Sequence, residues 1–552
     1  MDKKSLIAIA LIAALWVGYF IVFKPASPVK KPAETKVETA QKEDGEIKKG
    51  GPAPVRIEQV AGDATEKQVI VKTKKFSVTL SNRGAAITGC TYLERNIDLI
   101  VKDNPYNAKG RLDFSISFDD DEFVNGSALN SALWMLRQNG NQVTFVTDIQ
   151  MNGNPVRIEK TYLFKDDGYG FTVEYRLKNN GGKVIAFKNG SAIFSPGEIL
   201  GPNLNYTNSY NRLMSIYSKE GSFKKADKGG SGFLLGCGSS SSDEPLKKEA
   251  GTINWAGIMS RYFLLIMMPS EGAGKGVMYD NKKQSGFRTG MLVSLNNLDA
   301  GKEVKRTFKV YLGEKDKKKL AAMDKSLIDA ADVNSLIEPI RNFVIWCLMW
   351  INKLMGNLGW SLVIFSILTK VVFMPLTIKS TESMKKMQQL APRLNELKVK
   401  FKDKPEQMQK EMMKMYKENK VNPMGGCFPL LLQMPFFFAL YSALIDSIDL
   451  WGAPFILWMK DLSMPDTVLT ISGFDLNILP IVMTATTFVQ QKLSTVDTGG
   501  QQKMLMMMMP LMFIFIFWSM PSGLVLYWAL QNIFQIAHQL IINYRTKGEK
   551  AK

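Results

Sequence analysis

The stretch WSLVIFSILTKVVFMPLT, Trp360 to Thr377, decides the fold. It is an apolar run of bilayer-crossing length, since about 20 such residues at about 1.5 Å rise span the hydrocarbon core. Lys370 interrupts it. A charge at the centre of a membrane helix costs about 2.5–3.5 kcal/mol on insertion scales, and by default it marks function. The plain alternatives are snorkelling to the headgroups or pairing with an acid on a neighbouring helix. Snorkelling is awkward here, because Val371, Val372, Phe373, Met374 and Leu376 follow before Lys379. Helical spacing sets Ser366, Lys370 and Thr377 close to one face, with Gly359 and Val363 extending it. A polar stripe of this kind should face a bundle interior or a wet cavity.

Working outward, the loop from 379 to 426 is densely basic, and apolar residues recur at Met384, Met387, Leu390, Leu394, Leu397 and Phe401, then at Met408, Met412, Met415 and Tyr416. This predicts two antiparallel amphipathic helices, with Lys385, Lys386, Arg393 and Lys398 as candidate contacts for partners. Further spans are expected over 427–445, 476–491, 504–520 and 523–542, with an outer loop over 446–475, an inner loop over 492–503 and a basic tail over 543–552. Upstream of the central run, 333–356 carries Trp346 and Trp350 between Arg341 and Lys353 and reads as an interfacial helix. The N-terminal run 1–23 has Lys3 and Lys4 before its apolar core and lacks a small-x-small cleavage site, so it reads as an uncleaved anchor. Six crossings then place both termini in the cytosol, by the excess of lysine and arginine on that side.

Residues 24–58 are rich in Pro, Ala, Lys and Glu and read as a flexible tether. From 59 to 332 the texture is that of short β-branched and aromatic strands separated by Gly, Asn and Asp turns, as in VIVKTKKFSVTL, RIEKTYLF and VKRTFKVYLG. This predicts a large antiparallel sandwich outside the cytosol. The acidic run Asp119 to Glu122 is read as a solvated turn before a cation site. The sequence EGAGKG ending at Gly276 fails as a phosphate loop, with Pro269 at the first glycine position and Gly276 after Lys275.

The net charge of +19 is explained by lysine beside apolar spans and in tails, and no nucleic-acid module accompanies it. Four cysteines without close spacing argue against a zinc site, although Cys90 and Cys237 could pair in an oxidising compartment. The one histidine, His538, excludes multi-histidine metal chemistry, and Gln535 and Gln539 beside it read as a polar cytosolic helix end. No enzymatic activity, cofactor or metal is expected. A transporter would explain Lys370 but not the basic hairpin, and the membrane half shows no internal repeat. An intramembrane protease lacks paired acids within the spans, and no GxSG motif accompanies His538.

NPMGGCFPLLLQMPFFFALY, from Asn422, and MPSGLVLYWALQN, from Met520, together with VVFMPLT and QQKMLMMMMP, closely resemble the YidC family of membrane protein insertases. The resemblance covers 360–544, and the anchor plus β domain is similar to the Gram-negative form. It implies a polytopic α-helical membrane protein of six transmembrane helices, five forming a core around a groove open to cytosol and lipid. A periplasmic β-supersandwich and a cytosolic helical hairpin complete it. The groove charge maps to Lys370, where many members have Arg, and Gln433 matches a polar groove position, a helix-to-helix hydrogen bond being its equal alternative, while Ser366 and Thr377 join the lining through the helical stripe read above. Met434, Phe437, Met508, Met512 and Phe515 would form a greasy slide for the incoming apolar segment, with packing in the core or against lipid as the equal alternative for all five. The implied partners are nascent inner-membrane proteins, the ribosome and targeting factors, the Sec translocon and membrane lipids, all at the bacterial inner membrane.

Overall fold

A computed structural model describes residues 57–100, 110–202, 213–225, 246–281, 286–331, 336–401, 405–419, 421, 428–471, 474–494 and 510–550. The anchor, most of the tether, Cys237, Cys427, Met508 and the segment 422–427 lie outside them. The chain divides into two compact units, Lys30–Asp332 and a second made of Met1–Val29 with Val333–Lys552.

The first unit is the expected antiparallel sandwich. One sheet has ten strands, the others five and four. The long strands Gln142–Met151, Asn154–Phe164, Gly170–Asn179 and Glu303–Glu314 lie side by side in the large sheet. Alternation drives this. Along Asn154–Phe164 every second residue is buried, which turns Val156, Ile158, Tyr162 and Phe164 inward. Asn152 and Gly153, both at positive φ, supply the two-residue turn into that strand. Phe194 of the five-stranded sheet packs 5.0 Å from Tyr175 and 4.8 Å from Phe308 of the large sheet, and Tyr92 of the four-stranded sheet meets Phe263 at 5.7 Å. Each buried aromatic of this kind contributes about 1.5–3 kcal/mol through removal of apolar surface from water.

The acidic run is structural. Asp119 accepts a hydrogen bond from Glu122 N at 2.8 Å and so caps the short helix α1, Asp120–Asn125. Glu122 in turn accepts from Phe118 N at 2.8 Å. Among the described residues no cluster of His, Cys, Asp and Glu could hold a metal. EGAGKG, 271–276, leaves the turn after the strand Phe263–Pro269 and runs into the strand Gly274–Asn281, which contains Lys275, so no helix follows it. Cys90 is a buried free thiol, pushed up to about 12 by burial. A helix α2, Lys317–Met323, closes the domain. Its Lys319 bonds Glu94 and Glu314 at 2.9 Å each and Tyr92 at 2.7 Å.

The second unit is helical. Helix α3, Glu338–Met355, precedes α4, Leu358–Lys400, which runs 43 residues without a break. Then come α5, Pro405–Glu418, α6, Phe428–Asp446, α7, Leu479–Ser494, a helical stretch 510–517, and α8, Ser522–Lys550. Among the described residues one helix is long and apolar enough to cross a membrane by length and composition, Leu358–Met387. The common core draws Leu348 of α3, Leu362 and Phe365 of α4, Leu440 and Leu444 of α6, Met483 of α7, Phe517, and Leu524 and Tyr527 of α8. Between spans the solvent is as apolar as the side chains, so close packing and interhelical hydrogen bonds hold such a bundle.

Helix α4 passes position 378 unbroken, so the central span and the first hairpin helix are one element, and two further boundaries also differ from the sequence reading. Helix α7 begins at Leu479, because Leu476 and Asn477 belong to a hairpin of Thr467–Ile471 with Phe474–Asn477. The Asp466 carboxylate accepts from the backbone N–H of Ile478 at 3.0 Å and of Leu479 at 2.7 Å, which caps the helix there. Helix α8 continues through the basic tail to Lys550. Helix α3 buries Val344, Leu348 and Ile351 and exposes Phe343, Trp346, Trp350 and Leu354, so it is apolar on both faces.

Candidate functional site

Lys370 is half-buried, and its ammonium donates to Oε1 of Gln535 on α8 at 2.7 Å. One turn earlier on each helix, Gln531 Nε2 donates to the Ser366 carbonyl at 2.9 Å and to Thr369 Oγ1 at 3.1 Å. These contacts form two polar rungs between α4 and α8. Nearby, Gln433 of α6 donates to the Tyr527 hydroxyl at 2.9 Å, and Asn532 of α8 donates to Thr487 of α7 at 2.8 Å. A polar seam thus threads an otherwise apolar bundle.

The sequence-predicted lining falls into two groups. Lys370 and Gln433 reach across to other helices. Ser366 and Thr377 are buried, and their hydroxyls donate back to Leu362 O at 2.7 Å and Phe373 O at 3.0 Å, inside their own helix. Gly359 departs from the polar stripe altogether, because a Cβ there would lie 2.0 Å from the Phe455 ring. The slide residues also separate. Met512 and Phe515 are exposed, Phe515 at 81%, and Met434 is half-buried. Phe437 belongs to the core, ringed by Phe438, Phe517 and Trp528 at 5.2–5.9 Å. In the hairpin, Leu390, Leu394 and Val421 bury together against Met387, Met412, Met415 and Tyr416, which joins the end of α4 to α5. Lys386 and Arg393 are exposed there and Lys385 is half-buried. Lys398 lies on α4, in its cytosolic half by the sequence reading.

Sequence reading did not assign Thr369, Gln531 or Tyr527 to the site, and it read Gln535 as part of a polar helix end, whereas Gln535 lies midway along α8 and accepts from Lys370. A signal was present: Gln531, Gln535 and Gln539 recur every four residues on one face of an apolar helix.

Two family models match the chain, the YidC periplasmic domain over residues 68–336 and the 60Kd inner membrane protein over 350–550. A membrane protein insertase YidC of Leptospira interrogans is 30% identical, covering 100% of this chain and 99% of its own. This chain belongs to the YidC family of membrane protein insertases. A YidC of Geobacter sulfurreducens is 31% identical with 100% of both chains covered. A crystal structure described as an active YidC insertase with its first transmembrane domain resolved is 17% identical, covers 88% of this chain and 93% of its own, and gives a TM-score of 0.35. The YidC family accounts for both units: a periplasmic β-sandwich domain followed by a helical inner-membrane region whose substrates are inner-membrane proteins.

Proposed function

We propose that the polar seam is the floor of a cationic groove, open to cytosol and lipid, along which a polar substrate segment crosses part of the bilayer. The supporting observation is Lys370. It sits in the one described helix of span length and turns toward polar groups of α8. A wet, positive recess in the inner leaflet shortens the hydrocarbon path for a polar segment, and its charge attracts acidic residues in that segment. Met434, Met512 and Phe515 offer the apolar part of the substrate an adaptable surface. Burial of that apolar part in lipid supplies the driving force, at about 25 cal/mol per Å², so the cycle needs no nucleotide and the protein is not an enzyme. In this reading six spans place both termini in the cytosol and the β domain in the periplasm. The protein works alone or beside the Sec translocon, and the basic hairpin receives ribosomes or targeting factors.

The test is insertion of a single-span substrate with an acidic exported tail into liposomes holding only this protein. Wild type and Lys370→Arg should insert it, and Lys370→Ala should fall about tenfold, the loss of one charge-assisted contact. Equal insertion by all three would remove the groove charge from the mechanism.

A further inference from the structure

Lys370 has an unusual choice of partner. Its ammonium is bonded across the helix interface to an amide oxygen, Gln535 Oε1, at 2.7 Å, and not to a carboxylate. The difference matters in a low-dielectric site. A carboxylate would pair with the ammonium and cancel its charge, whereas an amide oxygen accepts one N–H, orients the group and leaves the net charge in place. An apolar residue there would remove this acceptor and leave the side chain free to swing towards the headgroups.

The neighbouring contacts make the amide a fixed fitting. Gln531, four residues before Gln535, is tied to Ser366 and Thr369, and Ser366 lies four residues before Lys370. The two glutamines therefore meet α4 as matched rungs one turn apart, which sets the register of α8 against α4. Tyr527, one turn earlier again on α8, is held by Gln433 of α6.

We propose that Gln535 is the positioning residue for the groove charge: it holds the Lys370 ammonium in the seam, charged and with donors to spare, until an acidic side chain of an incoming exported segment takes its place as partner. This deepens the groove reading above and rests on it. The substrate feature being read is an Asp or Glu in the segment to be exported, and Gln535 is what holds the ammonium in place without neutralising it at rest.

The experiment uses the full chain in liposomes and two forms of one single-span substrate, one with Asp and Glu in its exported tail and one with Asn and Gln in their places. The readout is the ratio of the two insertion yields. Wild type should favour the acidic tail. Gln535→Glu should lower acidic-tail insertion about tenfold more than neutral-tail insertion, bringing the ratio of the two yields close to one. The exchange K370Q/Q535K, which moves the ammonium to α8 and the amide to α4, should recover the acidic-tail preference that K370Q alone loses. An unchanged ratio in Gln535→Glu would overturn the proposal. So would equal loss for both tails, which is what a packing role alone produces, or an exchange variant no better than K370Q. A wild type with no preference, matched by Lys370→Ala, would instead remove the groove-charge reading beneath it.

Discussion

Glu122 shows how one buried side chain makes the β domain respond to pH. Burial pushes its carboxyl up to about 7, against the pull of the Phe118 amide that bonds the charged form. The folded state therefore holds a proton that the unfolded chain releases near pH 4.5. Stability from this residue is fully present below about pH 4.5 and falls as pH rises towards 7. Lys160 has the opposite sign. It occupies an inward position on Asn154–Phe164, 5.5 Å from the Tyr162 ring centre, and burial pulls its ammonium down to about 7. Its contribution rises with pH between about 7 and 10.5. Glu122→Gln keeps an acceptor for Phe118 N–H and removes only the charge. The variant should unfold with wild type at pH 4, and at pH 8 it should be more stable by up to about 3 kcal/mol, at about 1.36 kcal/mol per pKa unit. Thermal unfolding of the full chain in detergent at the two pH values measures this, and equal shifts at both would place the effect elsewhere.

At the scale of elements, α4 joins two environments in one helix. It passes Pro375 and Pro392, each of which removes one i to i−4 hydrogen bond, and still reaches Lys400. Its first half carries Lys370 and its second half packs on α5 through Leu390 and Leu394. Reversing the charges at Lys385, Lys386, Arg393 and Lys398, together with those of the basic tail, should reduce co-sedimentation with ribosomes several-fold at low salt and less at high salt. Unchanged co-sedimentation would count against the hairpin as the receiving surface. The element boundaries were only partly legible beforehand. The apolar period located both hairpin helices, but the cap at Asp466 that starts α7 acts across 12 and 13 residues, beyond the reach of a helix-start pattern.

At the scale of the molecule, Lys30–Asp332 forms its own compact unit with its own aromatic core, and the helical unit has a separate one. A chain lacking residues 59–332, with the tether joined directly to the segment before α3, should fold and insert single-span substrates at close to wild-type yield. Complete loss of insertion by a stably folded deletion would show that the β domain takes part in the reaction.

The linear chain determined what local patterns can carry. Alternation of apolar and polar residues made the sandwich readable, an 18-residue apolar run with one lysine marked the membrane helix, and four quoted runs carried the family resemblance. It also singled out Lys370, because a charge in hydrocarbon stands out against its neighbours whatever surrounds it in space. Only the tertiary structure decided what that lysine touches. Gln535 lies 165 residues away in sequence, and Gln531 is as far from Ser366, so no local period links them. Tertiary packing likewise turned the Ser366 and Thr377 hydroxyls back into their own helix and drew Phe437 into the core. Hydropathy records how apolar a position is, while the choice between lipid, core and groove depends on which helix face meets which neighbour, and that is settled only when the helices pack.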